Sequence, residues 1–161
     1  MSGIADMRGF TLVELLVTVT LVGLVALIAV PSYTLLIQSN QIQAQAEELK
    51  SFLQYARSEA VRRGAAITVA EADDNAWDAR TNDDEALRRL EYTPEQAQIR
   101  SNLEEITFRA NGIATAASLT ICHDTITETG FRLEIKGSGA IFLYPQGKQD
   151  ADGTELGSCT P

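Results

Sequence analysis

The sequence holds one histidine, one tryptophan, two methionines and two cysteines among its 161 residues. His123 has no second histidine to share a metal or a catalytic triad with. The chain also lacks G-x-S-x-G, H-E-x-x-H and any Gly-rich phosphate loop. No enzyme active site is therefore expected, and neither a cofactor nor a metal. Positive charge is scarce as well: 13 Lys and Arg against 22 Asp and Glu leave a formal net charge of −9, which opposes non-specific attraction to phosphate backbones. Nucleic acid is disfavoured as a partner. The acidic residues after Glu71 do not follow the spacing of a calcium loop, in which Asp and Asn alternate before a glycine and a glutamate closes position twelve.

The overall apolar fraction of 45% is ordinary, but its distribution is not. Residues 10–30, FTLVELLVTVTLVGLVALIAV, contain a single charge, Glu14. As a helix at ~1.5 Å per residue they extend ~31 Å, the thickness of a bilayer's hydrocarbon core. Arg8 precedes this segment, which keeps the short N-terminus cytoplasmic and exports everything after residue 30. Nothing after the segment resembles an A-x-A cleavage site, so the anchor is expected to be retained. Glu14 is the residue a plain anchor does not explain. A carboxylate at mid-bilayer costs roughly 2.5–3.5 kcal/mol on insertion scales, and one nearer the interface still calls for a partner.

Beyond Pro31 the chain turns polar yet keeps a helical period, with Ile42, Ala46, Leu49, Leu53, Ala56 and Ala60 recurring at alternating steps of four and three. Arg62-Arg63-Gly64 reads as a last turn with a C′ glycine. A continuous helix over residues 10–63 would be ~80 Å long, more than a compact domain requires. Strands are then expected at 66–70 (AITVA), 105–109 (EITFR, running into Asn111-Gly112), 118–122 (SLTIC), 131–135 (FRLEI) and 140–144 (AIFLY). Residues 71–105 read as a solvated loop, with a turn or two of helix over 83–90. The fold class is α+β, an antiparallel sheet laid on the apolar stripe of one long helix. Cys122 and Cys159 both lie in the exported part. An even count there suggests one disulfide, the alternative being two buried thiols.

Two stretches resemble a known family. Gly9-Phe10-Thr11-Leu12-Val13-Glu14-Leu15-Leu16 resembles the type III signal of type IV prepilins, GFTLxELL. Ala46-Glu47-Glu48-Leu49 followed by Leu53-Gln54-Tyr55-Ala56-Arg57-Ser58-Glu59-Ala60-Val61-Arg62-Arg63-Gly64 resembles the signature LxxxLxxARSEAxxRG of the GspH/FimT pseudopilins, which FimU-like minor pilins share. Later segments follow the family's order too: 106–112, then a strand ending in Cys122, then 131–143 and the terminal Cys159. Pro31 falls where pilins carry a helix-bending proline.

The resemblance implies a pilin fold with a leader at 1–9, a transmembrane and assembly helix at 10–30, an amphipathic continuation at 31–63 and a β-rich head at 64–161. It implies that an inner-membrane prepilin peptidase cuts after Gly9 and methylates the new amine of Phe10. In the fibre that cationic amine would neutralise Glu14 of a neighbouring subunit. The protein would wait in the bacterial inner membrane, single-pass and in contact with lipid, with its head in the periplasm. An assembly platform would then move it into a surface fibre of major and minor pilins. The function implied is that of a minor pilin in a priming or tip complex, serving pilus biogenesis, twitching motility or adhesion. One alternative is a minor pseudopilin of a type II secretion system. Another is a DNA-binding minor pilin of natural transformation, but the arginine-bearing GRxR-type motif of such proteins is missing. From residue 136 onward only Lys136 and Lys148 supply cations, against Asp150, Asp152 and Glu155.

Overall fold

The computed structural model describes residues 10–72 and 75–161; Gly9 and the rest of the 1–9 leader lie outside the described residues. Two compact units emerge, one ending at Ile37 and one comprising Gln38–Pro161, and the helix α1 (Leu12–Arg63) contributes to both. The helix assignment continues through position 31.

In the first unit α1 presents apolar side chains that no described residue covers. Leu12, Leu27 and Ile28 are each about three-quarters exposed, and the most apolar 18-residue window has a mean hydropathy of 2.6. The helix is long and apolar enough to cross a membrane, and its polar atoms are prepared for such a solvent. Thr18 Oγ1 donates to the Leu15 carbonyl (2.9 Å) and Thr20 Oγ1 to that of Leu16 (2.7 Å). Neither hydroxyl is left to be desolvated unpaired.

In the second unit the expected stripe is the core. Ile42, Ala46, Leu49, Leu53, Ala56 and Ala60 are all buried, joined by Phe52. Burying each of the larger members contributes about 1.5–3 kcal/mol. The helix stops at Gly64, whose φ is +66°.

Two antiparallel four-stranded sheets pack with this stripe in one core. The first has the order β3-β2-β1-β5, from β1 (Ile67–Ala72), β2 (Ala76–Thr81), β3 (Ala86–Glu91) and β5 (Glu105–Phe108). The second has the order β4-β6-β7-β8, from β4 (Gln98–Ser101), β6 (Ala117–Cys122), β7 (Phe131–Ile135) and β8 (Ile141–Leu143). Pairings such as Val69 with Ile106, and Leu119 with Leu133, set like side chains on one face, and all four are buried.

The stretch 71–105 corrects the sequence reading. It is not a solvated loop, and 83–90 forms no helix, because β2, β3 and β4 lie within it. Trp77 and Ala79 of β2 face the core, while Asp78 is buried with its Oδ2 2.8 Å from Arg80 Nη2 and 3.9 Å from Arg89 Nη1 of the paired strand. Leu90 sits opposite Trp77. A charged sequence thus pays for its place in a sheet by pairing its charges across it.

The C-terminal tail lies over the other face of the second sheet. Thr120 Oγ1 donates to the Cys159 carbonyl (2.6 Å), Arg100 Nη1 reaches the same oxygen (3.3 Å), and Leu156 is buried with the two cysteines.

Candidate functional site

The first candidate is the start of α1. Thr11 is its N-cap: the Leu15 amide donates to the Thr11 carbonyl (3.1 Å) and the Glu14 amide to Thr11 Oγ1 (3.2 Å). Thr11 and Glu14 therefore stand as Ncap and N3, the spacing of a capping box. A carboxylate in the first turn also complements the helix dipole. Phe10, 74% exposed, is the single described residue ahead of the cap. Among the described residues no partner takes the Glu14 carboxylate, the one charge of the apolar segment.

The second candidate is the C-terminal part of α1, where the ARSEA residues meet both sheets. Arg57 Nε donates to the Gly112 carbonyl (3.0 Å) and its Nη2 reaches the Ser138 carbonyl (3.4 Å). One guanidinium thus clasps the turn after β5 and the turn between β7 and β8. Gly112 and Gly139 both have φ near +80°, and Gly139 packs directly on the Gly112 carbonyl. Two residues on, buried Glu59 is held by Arg62 and Arg63, whose guanidinium hydrogen bonds pull its carboxyl down to about 2. Arg63 extends to Glu85, 3.6 Å away in the β2–β3 turn. Glu59 would oppose the dipole at a helix C-terminus, and the two arginines offset that. These contacts organise the head. They do not assemble a reaction centre, and no group of three His, Cys, Asp or Glu among the described residues is placed to hold a metal.

Cys122 and Cys159 are joined, with Cα atoms 6.0 Å apart and a sequence separation of 37. Closing a loop of that length stabilises by about 4 kcal/mol in the chain-entropy model. Reduction should therefore free the tail from Thr120 and Arg100. The check is alkylation of the native protein: no thiol should react until reductant is added, and Thr120→Val should lower the reductant concentration needed.

Of the residues singled out from sequence, Glu14 and Phe10 come to one helix end and the cysteines to one bond, while Gly9 lies outside the described residues. Sequence reasoning missed Thr11, although the T-x-x-E spacing was legible, and it missed Arg57, whose carbonyl partners are 55 and 81 residues away.

An apolar helix that leads into an amphipathic stripe wrapped by two antiparallel sheets defines a pilin-type subunit. The family model described as type II transport protein GspH matches residues 45–139, and the chain belongs to that family. The prokaryotic N-terminal methylation motif matches residues 5–30. Among solved structures the chain is similar to the type IV minor pilin FimU of Pseudomonas aeruginosa strain PAO1. The two are 29% identical with a TM-score of 0.64, over 74% of this chain and 96% of that one. It shares its fold with the minor pseudopilin EpsH of the Vibrio cholerae type 2 secretion system, at 16% identity and a TM-score of 0.53, over 67% of this chain and 99% of that one. No curated protein matches the sequence. The chain is a minor pilin or pseudopilin, a membrane-anchored member of a family whose subunits assemble with one another into fibres.

Proposed function

We propose that the chain is a minor pilin of a type IV pilus, cleaved between Gly9 and Phe10, methylated at the Phe10 amine and built into the fibre through α1. It acts structurally and not as an enzyme, entering a priming or tip complex from the inner membrane with its head in the periplasm. The observation that carries this reading is Glu14: a carboxylate at the capped start of an exposed apolar span, for which the described residues supply no partner. Removal of the leader creates a cation at Phe10, and the amine of one subunit can pair with Glu14 of the next in a water-poor helical core. There the pair is far stronger than in water.

The likeness to FimU over nearly the whole of that chain supports the pilus reading over secretion. The pseudopilin reading keeps the support of the family description and of EpsH's fold. The test is mass spectrometry of the protein recovered from its native membranes. It should begin at methylated Phe10 and co-purify with other pilins. An intact leader in cells with an active prepilin peptidase overturns the cleavage, and co-purification with secretion components instead favours the second reading.

A further inference from the structure

We infer that Asn111-Gly112 is a latent site of covalent modification, an asparagine set to convert to isoaspartate, which the clasp of Arg57 keeps closed while the head is folded. The chemistry is the same whether or not the chain enters a fibre.

Asn111 is the one asparagine in the chain that a glycine follows. With no Cβ beside it to obstruct, the Gly112 nitrogen can attack Asn111 Cγ once hydroxide has taken its proton. The N–Cγ bond forms, the Cγ–Nδ2 bond breaks, and ammonia leaves with a proton from water, which regenerates the hydroxide and closes a succinimide ring. A further water then opens that ring at either carbonyl. Opening at Cγ gives aspartate, and opening at the backbone carbonyl gives isoaspartate, whose main chain runs through Cβ.

The turn calls for this labile pair. Gly112 stands at φ +80°, and Asn111 Oδ1 accepts from the Ile113 amide (3.2 Å), a side-chain turn that asparagine makes readily. The fold blocks the reaction at its first step. The Gly112 N–H that must lose its proton is buried and donates to the Arg109 carbonyl (2.8 Å). Arg57 Nε holds the Gly112 carbonyl while its Nη2 holds that of Ser138, and Gly139 packs on the same Gly112 oxygen. The peptide unit therefore has no room to swing its nitrogen onto Cγ. Asn111 itself is exposed, so water reaches the side chain and only the nucleophile is withheld.

The product cannot close again. Isoaspartate lengthens the main chain by one methylene inside a turn pinned at both ends, by the Arg109 amide to the Ile113 carbonyl (2.9 Å) and by Arg57, and it moves the Gly112 carbonyl off the guanidinium. Each local opening of the clasp thus exposes the pair to an irreversible step, and the isoaspartate content records how long the turn has stood open.

The experiment holds the detergent-solubilised full chain at mildly alkaline pH, native beside a sample whose head is unfolded in urea, and follows the peptide bearing residue 111 by mass spectrometry. Native wild type should convert more slowly than the unfolded head by the factor that protects the Gly112 amide from hydrogen exchange, because both processes remove one proton from one nitrogen through one opening. Arg57→Ala should speed native conversion roughly tenfold or more, the population shift expected when a hydrogen bond from a charged donor is lost. Thermal unfolding shows whether that variant's head is still folded. Conversion of native wild type at the unfolded rate overturns the inference, as does a cooperatively folded Arg57→Ala head that converts no faster than wild type. If Arg57→Ala does not fold, the wild-type comparison decides alone: agreement between the two protection factors upholds the inference, and conversion through a protected Gly112 amide overturns it.

Discussion

Gly139→Ala should destabilise the head by about 3–5 kcal/mol, among the largest single-residue effects a domain shows. Two causes act together. The residue sits at φ +80°, where any Cβ is strained by about 1–2 kcal/mol, and the new Cβ would lie 1.9 Å from the Gly112 carbonyl oxygen, which is backbone and cannot rotate aside. The displaced carbonyl is also the one that Arg57 Nε holds. Gly112→Ala is the discriminating control, because it has the same φ but its Cβ would meet nothing nearer than Val61 Cγ2 at 3.4 Å. It should lose only about 1 kcal/mol. Thermal unfolding of the detergent-solubilised full chain, wild type beside both variants, measures the difference. Equal losses would show that backbone conformation dominates and that close packing of the two turns adds nothing.

Glu14→Leu should leave membrane insertion and folding of the head intact and reduce incorporation into fibres by at least ~100-fold, since losing one partner of a buried ion pair costs about 3–5 kcal/mol. Thr11 complicates the interpretation in a useful way. Glu14 occupies the N3 position of a capped helix, so its loss also removes a favourable first-turn side chain. Glu14→Gln separates the two roles, because glutamine suits a capping box but carries no charge. Immunodetection in sheared fibres against the membrane fraction gives the result. If Glu14→Gln assembles like wild type, capping is the residue's function and the pairing with Phe10 is wrong. If both variants fail alike, the charge is what assembly needs.

How legible the protein was depended on where each segment's partners lie. The stripe Ile42 to Ala60 was read correctly because a helix face depends on spacing within a few turns. The strands β1, β5, β6, β7 and β8 were read to within one or two residues at each end, because β-branched and aromatic residues alternate there between glycine-bearing turns. The region 71–105 failed for a physical reason. β3 is Ala-Leu-Arg-Arg-Leu-Glu, residues that favour helices in isolation, and it is held as a strand by pairing with β2. Asp78 looked solvated from sequence and is buried, because Arg80 and Arg89 neutralise it. That the head holds two sheets instead of one was equally hidden, since strand order is a matter of long-range pairing.

The assignment of β4 has a consequence for how the head comes apart. Its chain neighbours β3 and β5 belong to the first sheet, while β4 lies at the edge of the second. The polypeptide is therefore stitched from one sheet to the other and back before either is complete. Each sheet holds one run of consecutive strands, β1–β3 or β6–β8, but is completed by a strand from outside it, and the loop that must close before β5 finds β1 makes folding slower than hairpin zippering alone would be. The same stitching ties the fates of the two sheets together: peeling β4 from β6 pulls on the connections to β3 and β5. The two sheets should therefore be lost together on heating, in a single transition seen alike by different probes.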